Sequence, residues 1–296
     1  MTKSRRFLAV DILFLLLAIL PMIFGMTLKI LTNPLSSGIE ITGAKIYFSV
    51  PMPIQDLLIT ESQVNSLLVV ISVLGICLYM THGISVRAQT KRQLLAEWLV
   101  EKTEAMVTGN MGEYFSGYAP FIAAILVLSA LSSLLSLIGL YPPTSDINVV
   151  AGWAILVFIL ITYYKMKCGF IHYVKSFGDP VPLLSPLNVI SEVATPLSMA
   201  FRHYGNVLSG AVISVLIASG LSGLSAKLLS WLPGVLGDIP VLRIGLPAVL
   251  SLYFDLFSGC LQAYIFAMLT MLYISSGFPA DDYQNRKNRK KRAKAK

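Results

Sequence analysis

The sequence predicts an all-α integral membrane protein with about six membrane helices and one interfacial amphipathic helix. Hydrophobic residues make up 55% of the 296 residues, charged residues make up 13%, and the mean hydropathy is +0.73. A soluble globular domain carries about 25% charged residues, so this composition belongs to the membrane class. No polar segment is long enough to bury a core of its own, which excludes a large soluble catalytic domain.

The first predicted membrane helix covers residues 7–31, an apolar run that is long enough to cross a bilayer with some tilt. No A-x-A cleavage pattern follows it, so we predict a retained helix and not a signal peptide. A mixed polar and apolar segment with the helix breakers NPLSSG and PMP comes next. The second membrane helix is predicted at residues 67–84.

Residues 87–113 mix charged and apolar side chains and do not have the composition of a membrane span. Their apolar residues recur near helical spacing, which is typical of an amphipathic helix that lies at the membrane interface or packs on neighbouring helices. The apolar positions are Leu94, Leu95, Trp98, Leu99, Ala105 and Met106.

Four further membrane helices are predicted in the rest of the chain. Residues 118–140 form the third, and the two prolines of YPPTSDIN stop it. Residues 149–164 form the fourth, which the proline-rich connector GDPVPLLSP separates from a long fifth helix at residues 186–221. After the breaker LPGVLGDIP, the last helix is predicted at residues 244–274.

The positive-inside rule indicates how these helices are oriented. Of the 23 Lys and Arg residues, 18 fall in segments that face the cytoplasm if both termini do, and 4 fall in the opposite segments. We therefore predict cytoplasmic termini. Eight of the 18 lie in the C-terminal run RKNRKKRAKAK, which is typical of a solvated end that contacts anionic lipid. No aromatic residues interleave the basic ones there, so we expect no nucleic-acid binding.

Two predicted membrane helices carry polar stripes. Arg202 and Asn206 are four residues apart in the fifth, and Asp255 and Gln262 are seven apart in the last, so each pair is expected on one helix face. A charge at mid-membrane costs roughly 2.5–3.5 kcal/mol on insertion scales and marks an ion pathway by default. The alternative is a structural network in which Asp255 or Gln262 holds the arginine and locks the two helices together.

No catalytic or cofactor-binding motif accompanies these stripes. The chain lacks the glycine-rich nucleotide-binding patterns, HExxH and GxSxG, and its three cysteines have no metal-ligand spacing. We therefore expect no cofactor and no metal site. A stand-alone secondary transporter or channel remains an alternative to a subunit of a larger machine, as does a structural or assembly protein, although we find no internal repeat of the transporter kind.

Three segments, in matching order and spacing, resemble subunit a of F-type ATP synthases. TPLSMAFRHYGNVLSG is similar to the segment around that subunit's essential arginine, and LQAYIFAMLTMLYIS is similar to its last helix with its glutamine. LIGLYPPTSDINVV is similar to the loop between its third and fourth helices. Together the segments extend the resemblance over roughly residues 65–276.

The resemblance implies an ion-conducting stator beside a rotating ring of c subunits, with the last two long helices facing the ring. It assigns the essential arginine to Arg202, which would force a ring carboxylate to release its proton or sodium ion and would block leakage. Many members carry Glu or His where Ala211 stands, and Leu where His203 stands; we expect His203 to be structural. The further pathway residues implied are Asn206, Asp255, Gln262, Asp146, Asn148 and Glu192.

The resemblance also divides the chain and implies its surroundings. Residues 1–64 are expected to form an extra N-terminal helix and outer loop, residues 65–277 the channel domain, and residues 278–296 a basic cytoplasmic tail. The implied partners are the c ring, the peripheral stalk b subunits, the remaining synthase subunits and membrane lipid. The implied location is a bacterial cell membrane, and the chain itself is not expected to bind ATP.

Overall fold

The computed structural model describes residues 3–32, 43–53, 56–86, 90–167, 185–229 and 249–278, together with residues 169, 173, 177, 183, 245 and 283. These residues form an all-α protein, as predicted, to which one small β-hairpin is added. Its helices are α1 (Lys3–Thr32), α2 (Glu61–Thr81), α3 (Lys91–Met111), α4 (Ala119–Leu134), α5 (Ile147–Lys167), α6 (Ser185–Leu229) and α7 (Gly259–Ser276).

Six of the described helical segments are long and apolar enough to cross a membrane, which confirms the predicted number. Short 3-10 turns extend α4 at both ends, and a π-helical turn at Leu252–Ser258 precedes α7. Helix α3 is not among the six. The six segments are Phe7–Thr32, Glu61–Thr81, Glu113–Ile138, Ile147–Lys167, Ser185–Ser225 and Val249–Ser276.

Helix α3 forms where the amphipathic helix is predicted, but its apolar side chains are buried only in its C-terminal half. Val107 and Met111 are buried against the bundle. The apolar side chains of its N-terminal half are exposed, so the predicted apolar face points away from the described residues, and its position at the membrane surface remains a prediction. The exposed side chains are Leu94, Leu95, Trp98 and Leu99.

Helix α2 begins six residues before the predicted start of the second membrane helix. The segment ahead of it forms the antiparallel hairpin of β1 (Ile46–Val50) and β2 (Leu57–Thr60), which the sequence did not predict. The backbone N–H of Thr60 donates to Gln63 Oε1 at 3.4 Å and marks the helix start. The predicted domain boundary after residue 64 falls in the first turns of α2, and the division itself stays a prediction.

The centre of the bundle lies between α3, α4, α5 and α7, whose apolar side chains form one cluster. Helix α6 contributes Met199 to this cluster and packs against α5 and α7 on one side only. Its opposite side carries exposed apolar residues such as Leu197 and Phe201 along much of its length. Among the described residues, the chain therefore presents one long helix with an open apolar side. The largest buried members of the cluster are Phe115, Ile122, Met199, Phe266, Met271 and Ile274.

Helix α1 packs along α2 at a very close approach. A Cβ added at Gly75 of α2 would lie 2.6 Å from the backbone nitrogen of Ala18, a distance that real Cβ atoms do not show. At one end of the pair, the Asp11 carboxylate of α1 contacts Arg92 Nη1 at 3.0 Å and His82 Nδ1 at 2.8 Å. The Arg92 pKa is raised mainly by its hydrogen bond to Asp11. A glycine contact and an ion pair thus join α1 to the rest of the chain.

Gly75→Leu is expected to separate α1 from α2, because the new side chain meets backbone atoms of Ala18 that have no rotamer through which to withdraw. We expect a loss of roughly 1–3 kcal/mol or more in stability, measured as a lower thermal unfolding midpoint of the purified protein in detergent. Leu74→Ala, at an exposed neighbouring position, is the control and should change the midpoint little. An unchanged midpoint for Gly75→Leu would show that α1 does not pack as described.

Candidate functional site

The polar residues of the fifth and sixth membrane segments meet along an antiparallel contact between α6 and α7. The His203 and Phe266 rings lie 5.8 Å apart, and Asn206 Nδ2 donates to Ser258 Oγ at 2.8 Å. Further along, a Cβ added at Gly210 would lie 3.1 Å from Phe254 Cβ, so glycine permits this approach. Since residue 262 falls between the first two contacts along α7, the buried Gln262 lies near the level of residues 203–206 of α6.

Arg202 is exposed on α6, and among the described residues its guanidinium makes no salt bridge. The helix lock that would pair it with Asp255 is therefore not formed within the described part of the chain, and the described hydrogen bonds do not join it to Gln262. Because an isolated charge in a membrane segment is costly, a cation left open in this way points toward a group outside the described part of the chain.

His203 explains why Arg202 points outward. Its ring is fully buried, its Nε2 lies 3.4 Å from Ser129 Oγ of α4, and the ring packs edge-on against Trp153 of α5 and Phe266 of α7. Successive residues of an α-helix point about 100° apart. Burying His203 among three helices therefore fixes the rotation of α6 with Arg202 on the open side, and this packing agrees with the structural role expected for this histidine.

Asn206 is half-buried and joins α6 to the turn before α7. Its amide nitrogen donates to Ser258 Oγ, and the Ser258 hydroxyl donates back to Asn206 Oδ1 at 3.1 Å. One side chain thus satisfies both hydrogen-bonding ends of the amide. This pair holds α6 to the turn before α7 one helical turn away from Arg202.

Asp255 lies in the π-helical turn Leu252–Ser258, where its Oδ2 accepts a hydrogen bond from Ser251 Oγ at 2.5 Å. Asp255 is half-buried, whereas Gln262 is only 4% exposed. The prediction that both share one face assumes unbroken α-helical spacing. A π turn inserts an extra residue and rotates what precedes it, so this spacing does not apply across Leu252–Ser258. Such turns are frequent at functional sites.

Asp146 caps the start of α5 beside α2. Its Oδ1 accepts the backbone N–H of Asn148 at 3.0 Å, and its Oδ2 accepts a hydrogen bond from Ser62 Oγ. The side chain of Asn148 is exposed. A carboxylate that accepts the first free N–H groups of a helix is a common structural arrangement, so the geometry of Asp146 accounts for its residue type without an ion path.

Glu192 lies near the start of α6 in a small polar cluster. Its carboxylate contacts Lys165 Nζ at 3.2 Å and accepts a hydrogen bond from Tyr173 Oη at 3.2 Å. The side chain is 8% exposed. Burial raises the Tyr173 pKa, and the neighbouring Glu192 carboxylate raises it further. Among the described residues, this acid has charged and hydrogen-bonding partners, whereas Arg202 has no salt bridge.

The structure thus brings the predicted residues together in three groups. Residues of α6 and α7 form one, the turn before α5 forms the second, and Glu192 with its partners forms the third. Sequence reasoning missed the side chains that hold these groups, because serines are common and no spacing connects them to their distant partners. The missed partners are Ser62, Ser251, Ser258, Lys165 and Tyr173.

Comparison with known proteins gives one consistent family. A family model described as ATP synthase A chain matches residues 64–275. The chain is 33% identical over 218 residues to ATP synthase subunit a of Bacillus pumilus, covering 69% of this chain and 86% of that protein. It is 27% identical over 229 residues to ATP synthase subunit a of Legionella pneumophila, covering 77% and 90%. With ATP synthase subunit a of Listeria monocytogenes it shares 32% identity over 215 residues, covering 69% and 85%.

Proposed function

The chain belongs to the ATP synthase A chain family, and from that premise we propose that it is the ion-conducting stator of a rotary ATP synthase. It is a multi-pass membrane subunit of this enzyme. The similar proteins named above come from bacteria. In the proposed role it provides two half-channels that carry protons or sodium ions to and from a carboxylate on a rotating c ring. The free energy comes from the membrane potential, about 2.3 kcal/mol per charge per 100 mV.

The observation that carries this proposal is the exposed Arg202 guanidinium, which has no salt-bridge partner among the described residues. A ring carboxylate must be neutral while it faces lipid and charged while it faces water. Burial favours its neutral form, and a nearby cation favours its charged form. The Arg202 cation lies on the open side of α6 because His203 is buried on the other side. From there it would favour the charged form of the ring carboxylate.

The attraction between Arg202 and a ring carboxylate is large enough to make the carboxylate release its ion. At about 4 Å and an effective dielectric constant near 20, opposite unit charges attract by about 4 kcal/mol. Since 1.36 kcal/mol corresponds to about a tenfold change in an ionisation equilibrium, the arginine favours the ionised carboxylate by roughly a thousandfold. The same fixed charge repels a cation that would pass directly between the half-channels. An arginine serves better than a lysine because a desolvated lysine readily loses its proton.

The remaining polar groups supply the proposed paths on either side of this barrier. Asp146 and Asn148 form the mouth of the outer half-channel, and Asp255 continues it toward the ring. Asn206 and Gln262 have the residue types that match ring-contact positions in the resemblance described above. We assign the ring contact to the half-buried Asn206, and the buried Gln262 lines the polar path behind it. Glu192, tied to Lys165, belongs to the opposite half-channel.

The wider organisation follows from the same proposal. Residues 1–64 add a membrane helix and outer hairpin to a channel domain at residues 65–277, and residues 278–296 form a basic tail. Both termini are cytoplasmic, the ring and the peripheral stalk b subunits are the direct partners, and the basic tail contacts anionic lipid. The membrane is the cell membrane of a bacterium.

The test separates this role from that of a stand-alone transporter or channel. In liposomes with an imposed potassium diffusion potential, the purified chain alone is expected to pass no protons or sodium ions above the rate of empty vesicles. The chain reconstituted with its c ring and remaining membrane subunits should pass one of the two ions. Flux through the chain alone, equal to that of the assembled sector, would overturn the stator role and favour an independent channel.

A further inference from the structure

We propose that Ser62 and Lys29 are positioning residues that hold the turn carrying Asp146 in place. Both precede residues 64–275, the part of the chain that matches the family. One part of this inference rests on the proposed function, namely that Asp146 lies in the outer half-channel. The structural claim, that the N-terminal part of the chain fixes this turn, stands on contacts alone.

The turn is a compact piece of irregular backbone between α4 and α5. It begins at Gly139, whose φ of +77° suits glycine, and ends in the 3-10 turn Pro143–Ser145 just before Asp146. Within it, Ser145 Oγ donates to the carbonyl of Pro142 at 2.7 Å. Such a segment contains several backbone carbonyls without helical partners, so it needs donors from elsewhere.

Side chains from α1 and α2 donate at three points along the turn, twice to backbone carbonyls and once to the Asp146 carboxylate. Lys29 Nζ donates to the carbonyl of Gly139 at its start. Asn65 Nδ2 donates to the carbonyl of Tyr141 at 2.8 Å. Ser62 Oγ donates to Asp146 Oδ2 at its end. The turn is therefore held at its beginning, middle and end from one side.

Ser62 is placed to act on the carboxylate and not only on the backbone. Its side chain is fully buried, so bulk water does not compete for its hydroxyl. The hydroxyl also lies 2.8 Å from Thr60 Oγ1, which fixes its direction. Because Asp146 Oδ1 is already occupied by the N–H of Asn148, the Ser62 hydrogen bond fixes the second oxygen and hence the plane of the carboxylate.

Hydrogen exchange tests the structural claim in the intact, reconstituted membrane sector. Ser62→Ala is expected to speed exchange of the backbone amides of residues 141–148 by roughly three- to tenfold, because the turn loses one of its three supports. Ser72→Ala is the matched control. Ser72 lies on the same helix, is also buried, and its Oγ has no hydrogen-bond partner among the described residues. Its exchange pattern over the turn should equal that of the unmodified protein.

The cation concentration that half-saturates ATP synthesis would not change if Ser62 only supported the backbone of the turn. A carboxylate without its Ser62 donor holds a cation more tightly. In Ser62→Ala the half-saturating outer cation concentration for ATP synthesis should therefore fall by roughly three- to tenfold, and Ser62→Thr should restore it. Lys29→Met should speed exchange near Gly139 without this shift, since the described hydrogen bond of Lys29 goes to a backbone carbonyl and not to Asp146.

The outcomes separate this inference from the proposed function. Equal exchange over residues 141–148 in Ser62→Ala and Ser72→Ala would overturn the positioning role whatever the activity. Faster exchange with an unchanged half-saturating concentration would limit Ser62 to supporting the backbone and overturn its action on Asp146. If Asp146→Asn leaves the ion dependence unchanged while exchange responds as expected, the outer path is wrong and the support of the turn remains correct.

Discussion

Arg202→Ala is expected to abolish ion-coupled ATP synthesis while the complex remains assembled. The guanidinium is exposed and makes no salt bridge among the described residues, so its removal breaks no described contact of the fold. Removing a preorganised electrostatic group from a site typically lowers a rate by roughly 100- to 1,000-fold. We expect a loss of this size in synthesis driven by a potassium diffusion potential, together with passive ion leakage through the sector, because the barrier between the half-channels is lost.

Two variants make the Arg202 result specific. Arg202→Lys keeps a positive charge in water but is expected to lose most of the activity, because a desolvated ammonium readily gives up its proton and lacks the guanidinium geometry. Lys227→Gln removes a cation from an exposed position near the end of the same helix and should leave synthesis near the unmodified rate. Thermal unfolding of all three variants shows whether the fold is intact.

The opposite pattern would support a structural role for the arginine. If Arg202→Ala lowers the unfolding midpoint by several degrees and prevents assembly, the guanidinium holds the helices together through contacts that the open position on α6 does not indicate. If the variant assembles and still couples ion flow to synthesis, the electrostatic mechanism is wrong. Only an assembled and inactive complex agrees with the stator role.

The membrane helices could be predicted from the sequence because hydropathy is a local property. Each apolar run is by itself sufficient to predict a membrane helix. The six predicted membrane helices correspond to the six found among the described residues. The start of α2 was misplaced because Glu61, Ser62 and Asn65 are polar, yet all three are buried in the structure. The burial of Ser62 and Asn65 depends on the turn between α4 and α5, which is distant in sequence and supplies their hydrogen-bond partners.

The candidate site was predicted in its residue types but not in its geometry. The rarity of charge in apolar segments identified Arg202 and Asp255, and this signal is local. The π turn before α7 depends on how that helix packs, so the relation between Asp255 and Gln262 could not be read from spacing. The outward direction of Arg202 likewise depends on the contacts of His203 with three other helices.

Asp255→Asn is expected to slow both ATP synthesis and ATP-driven ion pumping by roughly 10- to 100-fold, within the range for loss of a proton-transferring group. The substitution keeps the shape of the side chain and its contact with Ser251 but removes the ionisable group. Ser251→Ala is the control, since it leaves the carboxylate in place, and it should slow either reaction by no more than about threefold. Full activity in Asp255→Asn would remove this residue from the outer path.

A second-site change tests where the outer path runs. Ala211 is exposed and follows Gly210, which packs on Phe254, so residue 211 of α6 lies near the level of Asp255. A carboxylate there would face the same region from the other helix. We therefore expect Ala211→Glu to restore a large part of the activity lost in Asp255→Asn, measured as pumping in the double variant against each single variant.

Ser209→Glu, also exposed but at a different position around α6, should restore none of it. Equal recovery from both positions would mean that added negative charge acts at a distance and that no defined path connects α6 with the turn before α7.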